Sequence, residues 1–312
     1  MGAGVSKEKR EFVEPDIEPG LSRYVSSYDL RLTRHNRSRK SSEAAIRSWG
    51  TEPMMDEGTG PPVIVIPGIQ GRWEWMMPAL RELRRSCRAI SYSLCGDRGS
   101  GVDRDPALGF ENYMRQLDAV FEKTGVSRAA LCGVSYGGFI AFRYAATRPE
   151  RVSALVLVSA PSPGWLPSAR QQQFLASPRL RAPLFMLTAP GRLWAEIHSA
   201  IPSWKARMYF AATYSARVLT APLAPARAAA RIADQQAADF TGDGARVKAP
   251  TLVVTGDDSL DHVVPPDVSR AYLSLIPGAS YSKLDGTGHI GMITQPSRFA
   301  HIVSDFVHAN SH

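Results

Sequence analysis

Five residues constrain this chain more than any other stretch: Gly133-Val134-Ser135-Tyr136-Gly137. They follow the short apolar run Ala129-Ala130-Leu131-Cys132 and precede another Gly and an apolar pattern of helical spacing. A Gly-x-Ser-x-Gly between a strand and a helix has the form of a nucleophile elbow. Such a turn is tight enough to hold its central residue in a strained backbone conformation. The residues two before and two after it must then be small, or their side chains collide with the neighbouring strand and helix. Gly133 and Gly137 meet that need. The helix that starts there aims N–H groups and a positive dipole end at the place where an oxyanion would form. In a chain with 25 Gly the pattern also arises by accident in a loop. Its weight depends on partners elsewhere.

Partners stand downstream. Pro250-Thr251-Leu252-Val253-Val254 is a short β-branched run, a buried strand by pattern. It leads into Thr255-Gly256-Asp257-Asp258-Ser259-Leu260-Asp261-His262-Val263-Val264-Pro265. Tyr281-Ser282-Lys283-Leu284 then leads into Asp285-Gly286-Thr287-Gly288-His289. The chain order is Ser135, Asp261, His289, which differs from the orders of the chymotrypsin and subtilisin types. Each candidate follows a predicted strand, where a parallel sheet gathers its functional groups.

On these motifs the chain resembles the α/β-hydrolase superfamily, in its single-domain form with a helical lid. The resemblance runs from about Pro61 to Phe306. Val63-Ile64-Val65-Ile66-Pro67-Gly68-Ile69-Gln70-Gly71-Arg72-Trp73 is similar to the family's first core strand and oxyanion loop. Gly96-Asp97-Arg98-Gly99-Ser100-Gly101 is similar to its Asp-x-Arg-Gly-x-Gly turn, one residue short. Arg148-Pro149-Glu150-Arg151-Val152 precedes the run Ala154–Val158 as in the family. Two features depart from the pattern. Pro67-Gly68 stands where the family usually has His-Gly. The acid loop carries two more residues than the commonest Gly-x-x-Asp spacing. Counting back from Val263-Val264-Pro265 selects Asp261, whereas counting forward from Gly256 falls on Ser259. Asp258 therefore stays as the alternative acid.

The coarse pattern along the chain agrees. Strand runs at Val63–Ile66 and Ala89–Leu94 alternate with helical patterns beginning at Met77 and before the elbow, where Tyr113, Leu117, Val120 and Phe121 form one stripe. Phe139, Ile140, Phe142 and Ala145 repeat the spacing after the elbow. Phe299, Ile302, Val303 and Phe306 do so in a closing helix from near Pro296. Alternation of this kind implies an α/β fold with a doubly wound, mostly parallel sheet. Residues 161–245 break it. They are rich in Ala and Pro and hold Trp165, Trp194, Trp204, Tyr209, Phe210 and Tyr214, which either line a substrate pocket or bury a helical lid. The expected organisation is a polar extension over 1–57, with an edge strand within Leu21–Leu32, a core over 58–160 and 246–312, and the lid between.

Charge and cysteine use bound the function classes. The net charge of +8 is uneven. Residues 1–57 balance ten Lys/Arg against ten Asp/Glu, with six of the bases between Arg31 and Arg47. Residues 161–245 carry nine bases against four acids. Such a surface keeps a protein soluble, and it also suits peripheral contact with an anionic membrane. The basic stretch Arg31–Lys40 has no interleaved aromatics, so nucleic-acid binding is not expected. Met1-Gly2-Ala3-Gly4-Val5-Ser6 fits the loose pattern for lipidation of Gly2. No run of about 18 apolar residues is present, and the N-terminus lacks the apolar core of a secretory signal. Three cysteines, Cys87, Cys95 and Cys132, have no paired spacing and read as reduced core thiols of a cytoplasmic protein. Clustered metal ligands and Walker spacing are lacking, so neither a metal nor another cofactor is expected.

The resemblance implies acyl-transfer chemistry. His289 takes the Ser135 proton as Ser135 attacks a carbonyl, Asp261 fixes the His tautomer, and the backbone N–H groups of Ile69 and Tyr136 hold the oxyanion. Water then cleaves the acyl-enzyme. A serine in place of an aspartate favours a carboxylic ester or related acyl bond in a small-molecule substrate. A carbon–carbon bond hydrolase or perhydrolase-type enzyme uses the same three residues. A non-catalytic ligand-binding relative typically loses one of them.

Overall fold

The computed structural model describes residues 54–177, 180 and 189–311. The strand expected within Leu21–Leu32, the basic stretch and Gly2 lie outside the described residues. The strands are β1 (Met54–Glu57), β2 (Pro62–Ile66), β3 (Arg88–Tyr92), β4 (Ala129–Val134), β5 (Val152–Val158), β6 (Thr251–Thr255) and β7 (Ser280–Lys283). They form one sheet in the order β1-β3-β2-β4-β5-β6-β7. All neighbours are parallel except β1, which runs antiparallel against β3 with Met54 opposite Tyr92. β1 falls inside the stretch expected to be an extension: Met55 is buried at the sheet edge, so the core starts earlier than residue 58.

Strict alternation explains why the central strands are apolar throughout. Ile64, Ile66, Leu131, Leu155, Leu157 and Val253 point to one face. Val63, Val65, Cys132, Val156, Val158 and Val254 point to the other. A parallel sheet covered on both sides leaves no polar face. The first face is covered by α2 (Glu111–Thr124) and α3 (Gly137–Thr147), through Tyr113, Leu117, Phe121, Phe139 and Phe142. The second is covered by α1 (Met77–Leu83) and by the closing helix Pro296–Ala309, through Leu80, Leu83, Phe299 and Val303, with Ile302 and Phe306 partly buried. Gly125 ends α2 in the left-handed conformation, where its N–H meets the carbonyls of Phe121 and Glu122. The three cysteines are buried and unbridged. Burial pushes the Cys132 thiol up to about 12, so it stays neutral in the core.

Between β5 and β6 lie α4 (Ala169–Ala176), α5 (Ala189–Ala200), α6 (Trp204–Thr220) and α7 (Pro225–Ala237). The chain rejoins the core at Phe240, which packs with Phe110, Phe139 and Phe142. The aromatic residues of this insertion divide. Trp165 packs against the core, while Phe210 and Tyr214 stack on each other and Tyr214 meets the edge of Trp75. Trp75 also donates to the Ala221 carbonyl at 2.8 Å, tying the end of α6 to the core. Trp194 and Trp204 are exposed. Among the described residues no helix is long and apolar enough to cross a membrane.

The elbow is where the sheet tolerates least. A Cβ on Gly133 would sit 2.7 Å from the Gly138 Cα, and one on Gly137 would overlap the Ile66 carbonyl and meet that of Pro67 at 2.7 Å. These neighbours are backbone and cannot rotate aside. Gly137→Ala is therefore expected to cost about 1–3 kcal/mol by overpacking. Gly164→Ala, in open space, should stay within about 0.5 kcal/mol of wild type. Denaturant unfolding of both variants checks this; equal stabilities would show that the elbow relaxes freely.

Candidate active site

Ser135 closes β4 and opens α3 with φ of 52°, one of two non-glycine residues at positive φ among those described. Its amide donates to the Val158 carbonyl at 2.9 Å, and its carbonyl accepts from Gly138 at 2.9 Å. Both bonds hold the turn in a conformation L-residues disfavour. The side chain is thereby lifted off the end of the sheet. His289 arrives from the loop after β7 and places Nε2 3.1 Å from Ser135 Oγ. Asp261 arrives from the loop after β6 and places Oδ2 3.1 Å from His289 Nδ1. Its other oxygen accepts from the amides of Val263 at 3.0 Å and Val264 at 2.9 Å. A carboxylate at Nδ1 requires that nitrogen to carry the proton, which leaves Nε2 as the acceptor toward serine.

The long acid loop takes a turn that swings Asp261 inward. Leu260 and Asp261 both donate to the Asp257 carbonyl, at 3.0 and 3.2 Å. Asp257 itself bridges the two loops, accepting from Gly286 at 2.6 Å and donating its own amide to the Thr287 carbonyl at 2.8 Å. Asp258, the alternative acid, points outward: its carboxylate is 66% exposed and pairs with Arg270 at 2.8 Å. The two extra residues are thus consumed in the turn.

Burial works to raise the Asp261 carboxyl, but the charge and hydrogen bond of His289 and the two amides hold it below its ordinary value. Burial works to lower His289, and there the Asp261 charge and hydrogen bond, with the charge of Glu196, win and raise it. The two partners agree in sign, each favouring the other's charged form. The remaining histidines that the structure describes, His198, His262, His301 and His308, are exposed.

Ile69 stands in the loop after β2 and Tyr136 directly follows Ser135. A Cβ on Gly68 would be 3.2 Å from Ser135 Cβ, so the loop after β2 passes directly over the elbow. Tyr136 caps the N-terminus of α3. Both residues are also tied to α7. Arg231, only 1% exposed, donates to the Ile69 carbonyl at 2.8 Å, and its own carbonyl accepts the Tyr136 hydroxyl at 2.8 Å. Its guanidinium also pairs with buried Asp97. Sequence reasoning placed Asp97 in a turn motif and overlooked Arg231, one of two Arg in an Ala-rich helix. It also overlooked Glu196 of α5, which accepts from the Ile290 amide at 3.1 Å beside His289. One signal was available: Glu196 is the sole acidic residue between Glu150 and Asp234.

Residues 61–296 match the family model described as the alpha/beta hydrolase fold. The chain belongs to the α/β hydrolase fold family. A protein of Klebsiella pneumoniae strain 342 named as the carbamate hydrolase RutD is 28% identical, over 79% of this chain and 91% of its own length. A protein of Mycobacterium tuberculosis H37Rv named as the non-heme bromoperoxidase BpoC is 28% identical, over 77% of this chain and 91% of its own. Its crystal structure superposes with a TM-score of 0.67, covering 82% of this chain and 95% of that one. The enol-lactonase of Burkholderia xenovorans LB400 superposes with a TM-score of 0.62 at 21% identity, over 81% and 95% of the two chains.

The Arg231–Asp97 pair makes the α7 contact testable. Arg231→Met leaves Asp97 buried, with only the more distant Arg227 at 3.5 Å. Breaking a buried pair from one side costs about 3–5 kcal/mol. Removing both charges in Arg231→Met with Asp97→Leu is expected to cost less than the single change. Denaturant melts of the two variants check the order, and a double variant weaker than Arg231→Met would refute it.

Proposed function

We propose that this protein is a serine hydrolase that cleaves a carboxylic ester or a related acyl bond through an acyl-enzyme. The observation that carries the reading is the unbroken line from Ser135 Oγ through His289 to Asp261, with both steps at 3.1 Å. In this reading His289 Nε2 accepts the serine proton as Oγ attacks the carbonyl carbon. The Asp261 carboxylate stabilises the resulting imidazolium. The Ile69 and Tyr136 amides hold the charge that develops on the carbonyl oxygen, each donor being worth about 3–4 kcal/mol of barrier. The imidazolium returns its proton to the leaving group, and water activated by the same His289 releases the acid. The relative named as a carbamate hydrolase supports a substrate with an acyl carbon attached to oxygen or nitrogen.

The relative named as a bromoperoxidase favours a second reading on the same residues. Hydrogen peroxide in place of water at the deacylation step would release a peracid. Comparing peracid with acid release from one ester, with and without peroxide, separates the two.

Labelling with a fluorophosphonate tests the serine directly. Wild type is expected to label and Ser135→Ala not to; an unlabelled wild type overturns the reading. Asp261→Asn should lower kcat by roughly three to four orders of magnitude, while Asp258→Asn stays within about twofold. The reverse ranking would reassign the acid. The base must be neutral to accept a proton, and its folded value is raised above the ordinary 6.5. The profile of kcat/KM should therefore fall as the pH drops through a midpoint above that value. A midpoint below 6.5 would show that burial, and not Asp261, dominates His289.

A further inference from the structure

Glu196 of α5 is a fully buried carboxylate. Both of its oxygens lie 3.1 Å from the Ile290 amide, and Gly288 packs closely against it. A Cβ on Gly288 would meet Glu196 Oε2 at 2.8 Å on one side and the Leu260 carbonyl at 2.5 Å on the other. The backbone on both sides of His289 is therefore gripped, by the acid loop beneath and by a lid carboxylate above. Among the described residues no Lys or Arg forms an ion pair with Glu196. Burying a carboxylate on backbone alone is costly, and a glutamine could still accept from the Ile290 amide through its one carbonyl oxygen without that cost. The charge itself needs a reason. His289 supplies one, because it is the cationic partner Glu196 faces.

We propose that Glu196 is a positioning residue for His289: it holds the Ile290 amide, packs on Gly288, and adds a second negative charge beside the imidazolium formed when Ser135 is deprotonated. The proposal rests on the reading of His289 as the general base. It makes the seating of α5 and the aim of the base one interaction, since moving α5 away would release the Ile290 amide next to His289.

The groups that face one another here come from four elements. Asp261 reaches His289 from the acid loop, Glu196 from α5 and Ser135 from the elbow. Glu196 in turn faces His289, Asp261 and, from α6, Tyr214. Burial raises the Glu196 carboxyl, and the nearby Asp261 charge adds to that, while the backbone of Ile290 and Gly288 and the charge of His289 oppose it. Tyr214 is pushed well above its ordinary value by burial, with the Glu196 charge contributing. For His289, Asp261 acts first and Glu196 second in raising it against burial. Removing the Glu196 charge should therefore lower the His289 value, so that the neutral base survives to lower pH.

Glu196→Gln keeps the size and one acceptor oxygen and removes the charge; Glu196→Asp keeps the charge and shortens the reach. The full chain is titrated by NMR on labelled histidine, with His289 assigned from His289→Gln, and the pH profile is measured on p-nitrophenyl acetate. In Glu196→Gln the His289 midpoint and the acid limb should both move down by roughly half a pH unit or more. Plateau kcat should fall about tenfold with KM within about twofold. In Glu196→Asp the midpoint should lie nearer wild type. Glu196→Gln with an unchanged midpoint overturns the proposal, and so does one with wild-type plateau kcat. Should Glu196→Gln fail to fold, a Glu196→Asp variant with wild-type plateau kcat overturns it instead. Fluorophosphonate labelling keeps the two readings apart. An unlabelled wild type sinks the serine-hydrolase reading while the titration still reports on Glu196. A labelled wild type with an indifferent Glu196→Gln sinks only the present proposal.

Discussion

Everything at the site hangs on the close approach of α3 to the end of β2. The elbow turns within a few residues because Gly133 and Gly137 bring backbone against backbone, and Gly138 leaves room for the Ala160 side chain. That approach does two things at once. It forces Ser135 to positive φ, which lifts its side chain clear of the sheet. It also sets the Pro67–Gly68 loop over the serine, with Gly68 against Ser135 Cβ. The central strands, buried on both faces, supply the stiffness that keeps such a turn from relaxing.

The histidine is held differently. No strained turn fixes it; it sits on a loop that hangs between two other structures. Asp257 sews this loop to the acid loop through Gly286 and Thr287, and Asp261 reaches the imidazole from the same side. Glu196 closes from the lid. The lid also touches the other half of the site, through Arg231 and the Ile69 carbonyl. Two helices of the insertion thus contact the two loops that flank the serine. In both cases a buried charge reaches a backbone group, the kind of bond that fixes a loop without needing a matching side chain.

Local signals carried much of this. The elbow is legible because its glycines answer a steric demand within five residues. The parallel sheet is legible because strands buried on both faces must be apolar throughout, as Val63–Ile66 and Ala154–Val158 are. β1 was not legible: a four-residue edge strand with two acidic side chains facing solvent looks like the polar extension before it. The identity of the acid was only half legible. Spacing pointed to Asp261 from one side of the loop and failed from the other, and the turn on the Asp257 carbonyl explains why.

The amino-acid sequence by itself determined the strand–turn–helix around Ser135, the strand–helix alternation of a doubly wound sheet, and the positions along the chain from which an acid and a base would come. Each of these depends on neighbours a few residues apart. Tertiary structure alone decided that Asp261 and not Asp258 faces His289, and that Glu196 and Arg231 reach the loops beside the serine. Those contacts span 28, 94 and 162 positions of chain. An isolated Glu or Arg in a helical pattern carries no mark of what it will meet, because burial and partner are set by how the lid packs and not by its own sequence.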